Sequence, residues 1–276
     1  MRRLNTHIIA PQKLAVMQKE LVAHCFSYAC DVFLINEYPK SGGTWLKLML
    51  ADALNLPAWT KSKPVWGSCV MQAHRICKPG RCRTVALLRD GRDVMVSMYY
   101  HSFFRNEFQN ASYTNLMKQK FRFEDLSDIQ ANLLPFMKAL FDAPASPGFN
   151  WLDFVYTSVQ QENVVICRYE ELRADTPRTL VRLVNELTDQ KLSASRAELI
   201  SEAHSMANMR KRKGKVAAVT KGSQIPEVSF MRKGVVGGWD DAFSDESLDW
   251  FEARAGSGLD LLGYTRGRPV SKGMNH

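Results

Sequence analysis

Two stretches of this chain carry residues whose types and spacing suit an anionic ligand, and a third stands far downstream. In Tyr38-Pro39-Lys40-Ser41-Gly42-Gly43-Thr44-Trp45, Gly42 and Gly43 let the backbone approach a phosphate. Lys40 can neutralise that phosphate, and the hydroxyls of Ser41 and Thr44 add donors. In Leu88-Arg89-Asp90-Gly91-Arg92-Asp93-Val94-Met95-Val96-Ser97, the planar fork of Arg89 can take two phosphate oxygens while Ser97 adds a hydroxyl. Arg232-Lys233-Gly234 supplies a further cationic clamp. A nucleotide with phosphates at both ends of its ribose needs such a set. The first loop is not a Walker A loop, in which the lysine follows the glycines, because Lys40 precedes them.

Other chemistry fits less well. Cys69, His74, Cys77 and Cys82 could supply four zinc ligands, but C-x4-H-x2-C-x4-C matches no common pair of close-spaced knuckles, so no metal is expected. Six cysteines are too few for a disulfide framework at this length, and they read as reduced thiols. An apolar strand followed by Arg89-Asp90 also reads as the magnesium-binding end of a nucleotide-dependent kinase. The strip Arg210, Lys211, Arg212, Lys213, Lys215, Lys221 lies in a stretch free of acidic residues from Ala203 to Pro226, which keeps a nucleic-acid-binding reading open. That strip lacks interleaved aromatic residues. Residues 207–228 read as a mobile basic loop, either simply solvated or closing over an anionic ligand.

The elements that must position these residues alternate in type. A helical period runs from Pro11 to Phe26, within a helical extension over residues 1–30. Val32 to Ile35, Thr84 to Leu88 and Asn163 to Cys167 read as buried strands. Helices are expected from Trp45 to Leu54, through Val94 to Met98, and over 131–141, 151–159 and 176–187. Strands alternating with helices predict a single α/β domain over 1–276, with a doubly wound, mainly parallel sheet flanked by helices. Such sheets bind ligands at the carboxyl ends of their strands, where both candidate loops fall.

The Tyr38–Trp45 loop closely resembles the Y-P-K-S-G-T-T-W loop of sulfotransferases that use 3'-phosphoadenosine 5'-phosphosulfate. Residues 88–97 resemble that family's R-[ND]-x-[KR]-D-x-x-x-S segment, and Phe230-Met231-Arg232-Lys233-Gly234-Val235-Val236-Gly237-Gly238-Trp239 resembles its F-x-R-K-G-x-x-G-D-W signature. The resemblance implies a P-loop-like phosphosulfate-binding loop, with Arg89 and Ser97 on the 3'-phosphate and Lys40 on the leaving phosphate. It also implies Trp45, Tyr169, Ser205 and Met206 around the adenine. The implied reaction is in-line transfer of a sulfuryl group to a hydroxyl or amine of a small-molecule acceptor. His74 stands where the family's K-[TS]-H-x-P places its general base, although Gln72, Ala73 and Ile76 replace the Lys, the hydroxyl residue and the Pro. Glu37 also stands where the family has a hydroxyl residue. His101, Phe103 and Phe104 are expected at the acceptor pocket.

Composition is that of an ordinary globular chain. The net charge is +9, from 37 Lys and Arg against 28 Asp and Glu, which favours anionic ligands. No apolar run approaches the ~20 residues of a membrane span, and no signal peptide is read, so the expected protein is cytoplasmic, with neither membrane nor nucleic acid as partner. The donor implied is 3'-phosphoadenosine 5'-phosphosulfate, its product 3'-phosphoadenosine 5'-phosphate, and no metal is required. The segment 240–247 lacks the dimer motif of animal members, so a monomer, or a dimer through another surface, is expected.

Overall fold

The computed structural model describes residues 9–60, 64–78, 80, 82–104, 111–144, 147–209 and 235–268. The chain divides into two compact units, Met1–Leu88 with Thr157–Ser205, and Arg89–Tyr156 with Met206–His276.

The first unit is built on four parallel strands, β1 (Val32–Glu37), β2 (Cys69–Ala73), β3 (Arg83–Leu88) and β4 (Val164–Arg168), in the order β2-β1-β3-β4. Every residue of β1 is buried, which is why it reads as one apolar run rather than an alternating one. The register pairs Asn36 with Ala73, Glu37 with Leu87 and Leu88 with Arg168. All four strands therefore end along one edge. The chain leaves β1 for β2 on one side and returns to β3 on the other, so the order reverses beside the carboxyl end of β1.

Helix α1 (Ile9–Cys25) lies against β1 and β2. Its Val22 and Ala23 join Val32, Leu34, Trp59, Cys69, Met71 and Cys82 in one buried cluster. Helix α2 (Gly43–Leu54) packs on the same two strands. It is closed at its far end by Asn55 in the left-handed conformation, whose amide bonds back to Ala51 and Asp52.

The second unit begins with α3 (Gly91–Phe103) and continues through α4 (Ala111–Phe121) and α5 (Ile129–Asp142). The Asp90 side chain caps α3 by accepting from the Arg92 amide, and Asp128 caps α5 by accepting from Ala131. Helix α6 (Trp151–Val159) crosses the boundary between the units. In the first unit α7 (Tyr169–Ala174), α8 (Thr176–Leu187) and α9 (Ala194–Ala203) follow β4; α8 begins at Thr176-Pro177 as the sequence predicts, and the Asp175 side chain caps it. The second unit closes with α10 (Asp245–Leu261).

Candidate active site

The Tyr38–Thr44 loop joins the carboxyl end of β1 to the N-terminus of α2. Two of its residues take left-handed backbone, Lys40 at φ 78° and Gly42 at φ 106°. Glycine is required at 42, because a Cβ there would also stand 2.9 Å from the Tyr169 ring. Lysine gains nothing from that conformation at position 40, and such strain is held where the surrounding structure imposes it. The Ser41 side chain is 1% exposed, and its Oγ has no hydrogen-bond partner among the described residues. A buried hydroxyl left open beside a helix N-terminus suits a phosphate oxygen.

Glu37, the last residue of β1, lies against this loop. It is 2% exposed. Its Oε2 accepts from the Gly43 amide at 2.5 Å and its Oε1 from Gln72 Nε2 at 2.6 Å. Gln72 Oε1 in turn accepts from the Thr44 hydroxyl at 3.1 Å. Gly43 therefore has a purpose beyond close approach to a phosphate, since a Cβ on it would fall 2.5 Å from the Glu37 Cδ. Burial pushes the Glu37 carboxyl above the usual carboxylate range, while His74, the Gly43 amide, Gln72 and Lys40 pull it back. On α2, Lys47 is buried with its Nζ donating to the Trp59 carbonyl at 3.0 Å. Burial lowers the Lys47 pKa, and Glu37 opposes that shift.

His74 follows β2 directly. Its Nδ1 stands 3.1 Å from the Glu37 carbonyl oxygen and 3.9 Å from Glu37 Oε1, with the side chain 39% exposed. A carbonyl oxygen only accepts, so Nδ1 carries a proton, and in the neutral ring the lone pair is then on Nε2. The four sulfur and imidazole groups weighed as zinc ligands do not converge. Cys69 opens β2 and His74 follows its other end. Cys77 Sγ lies 3.1 Å from Asn36 Nδ2, and Cys82 Sγ donates to the Val32 carbonyl at the amino end of β1.

Trp45 and Tyr169, expected near the adenine, meet edge to face at 6.3 Å in the first unit. Trp45 is 6% exposed and donates its Nε1 to the His204 carbonyl at 2.8 Å. His204 Nε2 bonds Asp52 Oδ2 at 2.6 Å, so α2 holds the end of α9 from which Ser205 follows. The Arg173 guanidinium covers the Trp45 ring at 5.7 Å.

In the second unit Arg89 lies 3.4 Å from Asp93 Oδ2 and donates to the Val235 carbonyl at 3.2 Å. Asp93 also accepts from the Gly237 amide at 3.0 Å, which ties the 235–239 segment to the start of α3. Asp90, the carboxylate a kinase would use for magnesium, is 5% exposed. Its two oxygens take the Arg92 guanidinium at 3.1 and 2.8 Å, besides capping α3. That fork occupies the lone pairs a metal needs.

Ser97 sits half-buried on α3, and His101 lies 6.0 Å from the Tyr113 ring. Phe103 and Phe104, expected at the acceptor pocket, are both buried beside other aromatic side chains. Phe103 is 0% exposed, packed among Tyr99, Phe121, Phe123 and Phe136. Phe104 is 8% exposed against Tyr99 and Tyr100. Met206 is half-buried in this unit. Phe230, Met231, Arg232, Lys233, Gly234 and the 210–221 strip lie outside the described residues. Sequence reasoning missed the contact of Glu37 with Gly43 and Gln72, and the only signal for it was that all three depart from the family pattern.

Residues 70–262 match the sulfotransferase domain. A 3-beta-hydroxysteroid sulfotransferase of Cavia porcellus is 23% identical over 261 residues, covering 80% of this chain and 84% of its own. Among solved structures, a mouse sulfotransferase, SULT7A1, complexed with PAP superposes with a TM-score of 0.59 at 18% identity, covering 88% of this chain and 90% of that one. Retinol dehydratase in complex with retinol and PAP gives 0.55 at 14% identity, over 92% of this chain and 88% of that one. No helix among the described residues is long and apolar enough to cross a membrane.

Proposed function

The chain belongs to the sulfotransferase family, and we propose that it moves a sulfuryl group from 3'-phosphoadenosine 5'-phosphosulfate to a hydroxyl or amine of a small-molecule acceptor. The observation that carries this reading is the His74 ring, whose Nδ1 is committed to the Glu37 carbonyl at 3.1 Å. It stands at the same sheet edge as the Lys40 loop. Nε2 then accepts the acceptor's proton as the new S–O or S–N bond forms.

The donor supplies a sulfuryl group already activated by its bond to phosphate. For the donor, Ser41 offers its open buried Oγ. Lys40 stabilises the charge that develops on the departing phosphate. Arg89, aimed by Asp93, takes the 3'-phosphate together with Ser97. Trp45 and Tyr169 offer aromatic surface to the adenine. Hydroxysteroids and retinol head the acceptor panel, because one relative is named for the first and one similar fold was solved with the second.

The test is transfer from sulfur-labelled donor to hydroxysteroids, retinol, phenols and amines, with magnesium-ATP as the control donor. Label in any of these acceptors supports the reading. Phosphoryl transfer from ATP with no sulfated product would replace it with a kinase.

A further inference from the structure

We propose that Glu37 is a positioning residue for sulfuryl transfer, a carboxylate at the end of β1 that binds the donor loop to the histidine base and holds the spacing between them. The inference rests on the reading of His74 as base.

The geometry joins the two ends of the chemistry through one residue, its carboxylate on the loop side and its backbone carbonyl on the histidine side. On one side Glu37 Oε2 accepts from the Gly43 amide at 2.5 Å, the first residue of α2 and part of the donor loop. On the other, the same residue's carbonyl takes Nδ1 of His74 at 3.1 Å, while its Oε1 lies 3.9 Å from that nitrogen. The carbonyl fixes which nitrogen carries the proton. The carboxylate is too far to bond Nδ1 but near enough to favour the imidazolium that forms once Nε2 has taken a proton.

Gln72 completes the frame. Its amide donates to Glu37 Oε1 at 2.6 Å and accepts from Thr44 at 3.1 Å, so the loop is tied to the carboxylate twice. Both carboxyl oxygens receive N–H donors, an arrangement that suits the ionised group. The charged groups facing it are His74 after β2, Lys40 in the loop and Lys47 on α2. The family has a hydroxyl residue at this position, which could not reach both partners with a charge.

The experiment follows the His74 ring by NMR across pH in the wild-type protein and in Glu37→Gln, with His74→Ala used to assign its signal. The turnover profile is measured alongside. Removing the nearby charge is expected to move the His74 signal change to lower pH. The acidic limb of kcat is expected to move down with it, so the variant loses about five- to tenfold at the plateau and less at low pH. Affinity for 3'-phosphoadenosine 5'-phosphate is expected to stay within about threefold. Gly43→Ala provides a second route, because its Cβ would displace the carboxylate without removing it; the midpoint should fall there too.

An unmoved His74 midpoint in a folded Glu37→Gln, or activity reduced equally at every pH, would mean a merely structural Glu37 and overturn the proposal. If His74→Ala kept most of its turnover, the base reading and this inference would fall together. An inactive His74→Ala beside an unshifted Glu37→Gln would remove this inference alone.

Discussion

Replacing Gly43 by alanine tests whether Glu37 and Gly43 form one packing unit. In most helices this change is favourable, since alanine exceeds glycine by at most ~1 kcal/mol in a helix. Gly43 is not among the residues with left-handed backbone, so no conformational strain opposes the change. What opposes it is the Glu37 side chain. The new Cβ would lie 2.5 Å from Cδ, 2.6 Å from Oε1 and 2.9 Å from Oε2, distances that real Cβ atoms do not sustain. The carboxylate must withdraw and give up its bond from the Gly43 amide, a loss of about 1.5–3 kcal/mol for a hydrogen bond to a charged group. Net destabilisation of about 1–2 kcal/mol is expected.

With Glu37→Ser the obstruction is gone, and the same alanine should stabilise by up to ~1 kcal/mol. The double-mutant cycle therefore predicts a coupling of about 2–3 kcal/mol, measured by urea denaturation of the parent, the two single variants and the double. A Gly43→Ala protein at least as stable as its parent, with Glu37 in place, would refute the reasoning.

Arg89→Ala is expected to weaken 3'-phosphoadenosine 5'-phosphate while barely affecting AMP; in the parent the first nucleotide should raise Tm far more than the second, and equal shifts would sink the 3'-phosphate assignment. His74→Ala should cost about 100-fold or more in turnover, as loss of a general base does, with nucleotide affinity retained, whereas His101→Ala should raise acceptor KM more than it lowers turnover. Burial pushes the thiols of Cys69, Cys82 and Cys167 from an ordinary 9.0 to about 11, 12 and 12. The folded chain then keeps protons the unfolded chain releases, so stability holds below pH 9 and falls from there toward 11–12, by about 1.4 kcal/mol per pH unit per thiol. A urea midpoint unchanged between pH 8 and 10 would contradict that burial.

Much of the first unit was legible because β1 and β3 are buried, whereas β4, read as a buried strand, is mostly half-buried. Val32–Ile35 and Thr84–Leu88 each announce themselves as apolar runs, and both lie within the observed β1 and β3. Thr176-Pro177 likewise marks the start of α8. In the second unit, α10 was hidden by Gly256 and Gly258, residues that weaken a helix on propensity alone. The structure shows why they are there. A Cβ on Gly258 would fall 2.7 Å from Leu152 and 2.8 Å from Trp151, and one on Gly256 would fall 2.7 Å from Arg266. Close packing outweighs propensity at such positions, and no local pattern reports it. Phe103 illustrates a related limit of local pattern, since a run of aromatics reads the same whether it lines a cavity or fills a core.

In the candidate site, Glu37 and Gln72 each read as an isolated departure from the family pattern, and Gly43 only as room for a phosphate. Glu37 replaces a hydroxyl residue, Gly43 a threonine and Gln72 a lysine. In the structure all three meet, the carboxyl of Glu37 bonding both the Gly43 amide and the Gln72 side chain. Their physics is compensatory. A carboxylate that is buried at 2% exposure needs donors, which the loop amide and Gln72 supply, and it needs room, which the missing Cβ at 43 supplies. Restoring the family residue at one position alone should therefore cost more than restoring it at all three. A lysine at 72 would pair with Glu37 and compete with His74 for its charge, and a threonine at 43 would expel the carboxylate from both. The unit of substitution here is the cluster, since each residue is favourable only in the presence of the other two.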